Sequence, residues 1–337
     1  MARKYSAKKR NKIEPAVQTL YFSYNAPAGV STSYIDLSQV ASLVNRRFYR
    51  QGINWAVGGF KFLSTSNFKG SLGVSKLPNT WVMSNAWEKS FRTWQRMNKE
   101  ALEETESIRP KFLDFKIYAD SAHHTAGFAA NLLPLSLSGV YAPGEWEASK
   151  VVIPRTDSTT GIPSSRELVA TGASYSGAGA SGLNAVSLIE GYAASRGLPN
   201  VLDPNAPDDA ADTSGVAPQN WMAALFNEGL VQNEDVIDDM ITENNIAPYP
   251  FDNDGVNVDT MYPGGANQLG AMVLVDKMST FSTTETGITN RMTAKGGVFP
   301  CGLIQLNASL ALNNSILQVH LVPGHHRGYM AEPMQDL

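Results

Sequence analysis

Apolar and polar positions alternate in short runs spread along the whole chain. VQTLYFSY (Val17–Tyr24), WAVGGFKFLS (Trp55–Ser64) and KFLDFKIYAD (Lys111–Asp120) have strand length and are rich in β-branched and aromatic residues. In the last run Leu113, Phe115, Ile117 and Ala119 oppose Phe112, Asp114, Lys116 and Tyr118. LGAMVLVD (Leu269–Asp276), VFPCGLIQLNASL (Val298–Leu310) and SILQVHLV (Ser315–Val322) complete the strand set. The Gly58-Gly59 pair inside the second run predicts a bulge.

Helical periodicity takes over in SNAWEKSFRTWQRMNKEALEETE. Trp87, Phe91, Trp94 and Asn98 share one face, with Ser84 as the expected N-cap. Lys89, Arg92, Arg96 and Lys99 make a basic stripe beside it, either a solvated surface or a contact for nucleic acid or a neighbouring subunit. Further helices are predicted over Ala185–Ser195 and Gln219–Leu230, with a short one from about Glu234 to Thr242. Strands without regular strand–helix alternation exclude a doubly wound α/β fold and predict an all-β protein, interrupted by a loop- and helix-rich insertion at about 155–262.

Composition agrees. The 28 Gly and 18 Pro in 337 residues supply many turns, and 43% apolar with 17% charged residues is a globular balance. Cys301 is the only cysteine, so neither an intrachain disulfide nor a Cys-rich zinc site is expected. No apolar run approaches the roughly 20 residues of a membrane span, and no apolar segment follows the basic N-terminus, so neither membrane insertion nor secretion is expected.

Charge changes the picture more. Residues 1–116 hold 19 Lys/Arg against 8 Asp/Glu, a net of +11, whereas the rest holds 8 against 23, a net of −15. Residues 1–14 are expected to form a basic, disordered arm carrying Arg3, Lys4, Lys8, Lys9, Arg10 and Lys12. Between Arg196 and Lys277 no basic residue occurs, while 14 acids do. A basic end suits a polyanion, and a long acidic stretch suits a second surface with a different client. The polar loop Pro199–Asn220, with four Asp and four Pro, belongs to that acidic stretch.

Candidate chemistry is sparse. GAGASG (Gly177–Gly182) satisfies G-x-G-x-x-G, so a nucleotide-dependent enzyme using NAD or NADP is an alternative, although TGASYS stands where a strand should precede it. DNDGVNVD (Asp252–Asp259) offers oxygen donors for calcium but lacks the closing Glu, which favours a surface turn. His123-His124, His320 and His325-His326 lack Cys or Glu partners at zinc spacing. No metal site, cofactor or catalytic set is assigned. RRFYR (Arg46–Arg50) interleaves Arg46, Arg47 and Arg50 with Phe48 and Tyr49, a mixture suited to phosphate pairing with base stacking or to a charge-guarded edge strand.

The MARKYSAKKR arm and the LPNTW…AWEKSF segment (Leu77–Phe91), within an aromatic-rich β-chain, resemble the coat proteins of small circular Rep-encoding single-stranded DNA viruses. The resemblance implies one jelly roll over 15–337, eight strands in two sheets with helical and loop insertions. It further implies self-assembly into an icosahedral shell, with the arm on a packaged genome (single-stranded DNA, with RNA as the other option). The chain would reside in the virion, and in the host nucleus or cytoplasm during assembly, with an unspecified host receptor outside. It carries over only the arm cations as genome contacts. Six charges are few for a genome, so Arg46, Arg47, Arg50 and the basic stripe are candidates for the remainder. A non-capsid nucleic-acid-binding protein is the third possibility.

Overall fold

The computed structural model describes residues 15–26, 29–65, 70–108, 114–153, 164–174, 177–195, 222, 272–280, 289–309 and 312–334. The protein is mostly β, with antiparallel pairing dominant. Its strands are β1 (Thr19–Ala26), β2 (Ser31–Asp36), β3 (Ile53–Thr65), β4 (Gly70–Lys76), β5 (Lys150–Ile153), β6 (Ser164–Val169), β7 (Ala185–Ser187), β8 (Val273–Thr280), β9 (Thr289–Phe299), β10 (Leu303–Ala308), β11 (Leu312–Leu321) and β12 (Ala331–Pro333). The helices are α1 (Leu37–Asn45), α2 (Trp81–Glu104), α3 (Ser121–Ala126) and α4 (Leu188–Ser195).

Two sheets face each other. Sheet one runs β1-β11-β3-β9, with β12 extending β3 at its start, and sheet two runs β8-β4-β10-β2. The antiparallel pairs are nested: β1 with β11, β2 with β10, β3 with β9, and β4 with β8. Leu20, Phe22, Phe60, Phe62, Leu317 and Val319 from sheet one meet Ile35, Leu72, Val74, Ile304 and Leu306 from sheet two in one core. The period of two that sequence alternation predicts is therefore what fills it.

Beyond these sheets the described residues hold three smaller ones: β5-β6-β7, whose β6–β7 pair is parallel, and two short ribbons, Leu135–Ser136 with Gly139–Val140 and Pro323–Gly324 with Gly328–Tyr329. The sheet count thus differs from two. Departure from the main sheets begins at Leu77, well before residue 155. The elements that follow cover part of the outer face of sheet two and form a second core there, with Tyr34, Trp87, Trp94, Phe115, Ile117, Leu168, Val186 and Leu303.

Several boundaries differ from the sequence prediction. Val298–Leu310 is broken by a tight turn at Pro300–Gly302, where Cys301 has φ 55° and Gly302 φ 69°. The strand predicted over 269–276 is observed at Val273–Thr280. The long helix is capped by Thr80, whose Oγ1 accepts from the Met83 amide at 3.4 Å, while Ser84 lies inside the helix and donates to the Met334 carbonyl at 3.0 Å. Ala185–Ser195 splits into β7 and α4. The Gly58-Gly59 bulge is present, because the register of β11 on β3 jumps between Gly59 and Val57. Gly296 lies opposite with no room for a side chain: a Cβ there would stand 1.9 Å from the Val57 carbonyl oxygen.

Candidate nucleic-acid interface

The arm cations Arg3, Lys4, Lys8, Lys9, Arg10 and Lys12 lie outside the described residues, but the point where the arm joins the fold is described. The Val17 amide donates to Asn45 Oδ1 at 3.0 Å, and the Tyr329 hydroxyl donates to the Val17 carbonyl at 2.7 Å. Gln18 Nε2 adds a bond to the Gly328 carbonyl at 3.1 Å. Asn45 ends α1, whose start is fixed by Asp36 accepting from the Ser38 and Gln39 amides at 2.9 and 3.3 Å. The arm is thereby anchored to α1 and to the turn around Arg327.

The next residues along the chain lead onto the outer face of sheet one. Register places three rows across its four strands: Thr19, His320, Gly59 and Lys295; Tyr21, Gln318, Lys61 and Thr293; Ser23, Ile316, Leu63 and Arg291. Their alternate neighbours fill the core, so these twelve side-chain positions look outward. Lys61, Arg291 and Lys295 supply three cations, and no row contains a carboxylate. Tyr21 is 46% exposed and offers a ring among them. Asp276, on β8, is the nearby acid, but it accepts from the Lys295 and Lys277 amides at 2.8 Å each, which holds its carboxyl below the usual range and pins β8 to β9.

On sheet two the outer face is covered in part, by the second core around Tyr34 and Leu303, while Leu274 and Lys277 of β8 stay exposed. Among the described residues the two sides of the sandwich are therefore unlike: one is uncovered and cationic, and one is partly covered by the excursion between β4 and β8. Sequence reasoning missed Lys61, Arg291 and Lys295, since only the register of β3 and β9 brings them together.

Arg46, Arg47 and Arg50 occupy the turn after α1, not an edge strand. Arg46 closes the helix in the left-handed region with φ 55°, its guanidinium 5.8 Å from the Tyr141 ring centre. The structure brings this cluster to the arm's point of entry through Asn45. Tyr49 is fully buried, donates to the Arg327 carbonyl at 2.9 Å and packs on Trp55 and Tyr329. It is not available to stack on a base, so the aromatic half of RRFYR reduces to Phe48, which is half-buried.

The basic stripe of α2 is differently placed. Trp87 and Trp94 face the second core as predicted, with Phe91 stacked between them at 5.0 and 6.3 Å. Arg92 bonds Glu88 at 2.5 Å and Lys99 pairs with Glu103 at 3.7 Å, both at i,i+4 spacing, and Lys89 donates to Ser195 Oγ at 2.7 Å. Glu88 and Glu103 offset the charge of Arg92 and Lys99, which favours the solvated-surface reading for that half of the stripe.

Around Asp114 the excursion docks onto the α1–β3 turn. Gln51 Nε2 and Oε1 bracket Ile117, donating to its carbonyl at 3.0 Å and accepting from its amide at 2.6 Å. The same Nε2 donates to Asp36 Oδ2 at 3.1 Å, as does Trp146 Nε1 at 3.0 Å. Burial pushes the Asp36 carboxyl up, against these donors. Asp114 is pushed up to about 6 by burial, only partly offset by the Lys116 ammonium 4.0 Å away. That ammonium also stands 4.0 Å from the Trp146 ring centre.

The remaining motifs resolve structurally. Gly177–Gly182 turns into strand β7, not a helix, so no helix N-terminus faces the glycines. Gly179 is there because His124 packs against it: a Cβ would meet the imidazole Nε2 at 2.5 Å. His123 and His124 are buried on α3, His124 bonding Glu167 at 2.9 Å. Asp252–Asp259 lies outside the described residues, as do Pro199–Asn220, Glu234–Thr242 and most of Gln219–Leu230. Among the described residues no group of three or more His, Cys, Asp or Glu is placed to hold a metal ion, and no helix is long and apolar enough to cross a membrane.

Comparison with known proteins assigns no family: no family model, no curated protein and no solved structure matches the chain.

Proposed function

We propose that this chain is a capsid subunit, a single jelly roll that self-assembles into a small icosahedral shell and packages nucleic acid against its arm and the outer face of sheet one. The observation that carries the reading is the nested pairing of eight strands, β1–β11, β2–β10, β3–β9 and β4–β8, with a carboxylate-free cationic face following a basic arm. Nested antiparallel pairs divided between two facing sheets are the wiring of a rolled double sheet. The bare face gives Lys61, Arg291 and Lys295 to add to the arm, which alone is short of charge. In this orientation the described elements of the excursion between β4 and β8 face outward, where a host receptor would bind. Binding is by counterion release, independent of sequence and weakened by salt. The single-stranded DNA preference rests on the resemblance, since backbone charge does not separate DNA from RNA.

The test is expression of the full chain followed by electron microscopy and sedimentation over a range of salt. Closed, uniform particles are expected, with the type of co-purifying nucleic acid identified by nuclease digestion. A chain that stays monomeric under every condition overturns the reading. Deleting residues 1–12 leaves shells that close empty; a soluble monomer that simply loses nucleic acid would mark a non-capsid binding protein instead. A thermal shift with NAD or NADP would restore the enzyme alternative.

A further inference from the structure

Besides the cationic face, one cavity joins aromatic walls to arginines. It has a volume of about 480 Å³ and lies between the α1–β3 turn, helix α2 and the turn around Arg327. That size falls within the roughly 300–1,000 Å³ of small-ligand sites. Phe48 and Phe91, both half-buried, are part of its lining, as are Arg50 and Arg327, both exposed and so on its solvent side. Arg327 Nη1 donates to the Phe48 carbonyl, which fixes the rim to the wall. Asp114 is in the floor, its side chain 4% exposed.

We propose that this cleft takes one unstacked nucleotide of the bound strand, base inward on the ring of Phe48 and against the edge of Phe91, whose faces are held by Trp87 and Trp94, and phosphate outward on Arg50 and Arg327. The charge pattern sets that polarity. A phosphate driven inward would meet the Asp114 carboxyl, whereas at the rim it meets two guanidiniums. A base is planar and apolar on its faces, and aromatic walls stack on it whatever its identity. An aliphatic ligand has no use for the arginines, and a bare anion has none for the rings.

A second observation points to the same ligand. The turn that carries Arg327 also holds the arm's root, through the Tyr329 hydroxyl on the Val17 carbonyl and Gln18 on the Gly328 carbonyl. A strand captured by the arm is thus delivered beside the cleft. The proposal rests on the nucleic-acid reading above and adds to it a contact with a base, which electrostatic packaging does not require.

The two are separable by experiment with the full chain. Affinity is measured for a short oligodeoxyadenylate and for an abasic oligomer of the same length, which keeps every phosphate and removes every base. The deoxyadenylate is expected to bind about tenfold tighter, as one stacked base provides. Phe48→Leu brings that ratio toward one without changing the salt dependence, and Arg50→Gln lowers the slope of log affinity on log salt by about 0.7. Equal, salt-sensitive binding of both oligomers by the unmodified chain overturns the cleft while leaving electrostatic packaging intact; binding of neither overturns the nucleic-acid reading itself. A photocrosslink from an iodouridine oligomer to the unmodified chain is independent of any variant's folding. An adduct on Phe48 or Phe91 is expected, and adducts confined to residues 1–14 overturn the assignment. So does a Phe48→Leu variant that blocks shell closure with no change in base dependence, which would show a neighbouring copy in the cleft.

Discussion

The Tyr34 hydroxyl donates to Asp120 Oδ1 at 2.6 Å, joining the outer face of sheet two to the excursion that covers it. Asp120 is saturated: Oδ1 also accepts the His123 amide at 2.8 Å as the cap of α3, and Oδ2 accepts from Gln305 Nε2 at 2.8 Å. The Tyr34 ring stacks on His123 at 4.3 Å. Burial and the neighbouring carboxylate both raise the phenol's pKa, so it stays a donor. Tyr34→Phe is expected to cost about 1.5–3 kcal/mol, the worth of a bond to a charged acceptor. Asp120→Ala should cost more, since it strips the cap and leaves two buried donors unmatched. Thermal or urea unfolding of the unassembled chain measures both.

Two buried groups make stability depend on pH in opposite directions. His123 is held down to about 3 by burial, so its contribution is complete above the unfolded value of 6.5 and is lost as pH falls from there toward 3. Asp114, raised from 3.8 to about 6, does the reverse: it weakens the fold as pH rises from about 4 to 6. Asp114→Asn should therefore exceed the unmodified chain by about 3 kcal/mol above pH 6, because each tenfold change in a proton equilibrium is worth about 1.4 kcal/mol. The gap should close below pH 4. His123→Gln should flatten the acid limb instead. Urea titrations across this pH range check each sign.

Replacing Lys61, Arg291 and Lys295 together by Gln should reduce the salt slope for single-stranded oligonucleotides by about 2, at about 0.7 per phosphate contact. Shell closure should persist. The matching triple of Arg92, Arg96 and Lys99 should leave the slope unchanged, because Glu88 and Glu103 already pair with that face. Equal effects from the two triples would remove the distinction between the faces.

Gly179→Ala should destabilise the fold whether or not any nucleotide is present, because the added methyl meets the His124 ring. An overpacked core site of this kind costs about 1–3 kcal/mol. A melting curve without ligand measures it, and an unchanged melt would contradict the packing of Gly179 on His124.

Much of the framework was legible. The alternation in Val17–Tyr24, Trp55–Ser64 and Ser315–Val322 marks strands that share one core and one sheet. Lys111–Asp120 was legible in part over its described residues, 114–120: Phe115, Ile117 and Ala119 are buried as their spacing predicts and Tyr118 bridges to β6, its amide donating to the Leu168 carbonyl at 2.9 Å, while the Gln51 amide satisfies Ile117. Val298–Leu310 read as one strand because every residue from Val298 to Ile304 is apolar or glycine, and Pro300 was the signal of its break. In the interface, clustered arginines were visible in sequence, while Lys61 and Lys295 are too far apart in the chain for any local pattern to pair them with one surface.

Lys76 and Val273 are cross-strand partners, so the long excursion leaves and re-enters the fold at one rung of sheet two. Its length is therefore free of the main ladders: residues can be gained or lost in its loops without shifting a strand pair of either main sheet. Lineages of this protein are expected to diverge fastest there, and a foreign segment grafted between them should be displayed on the covered side, opposite the cationic face.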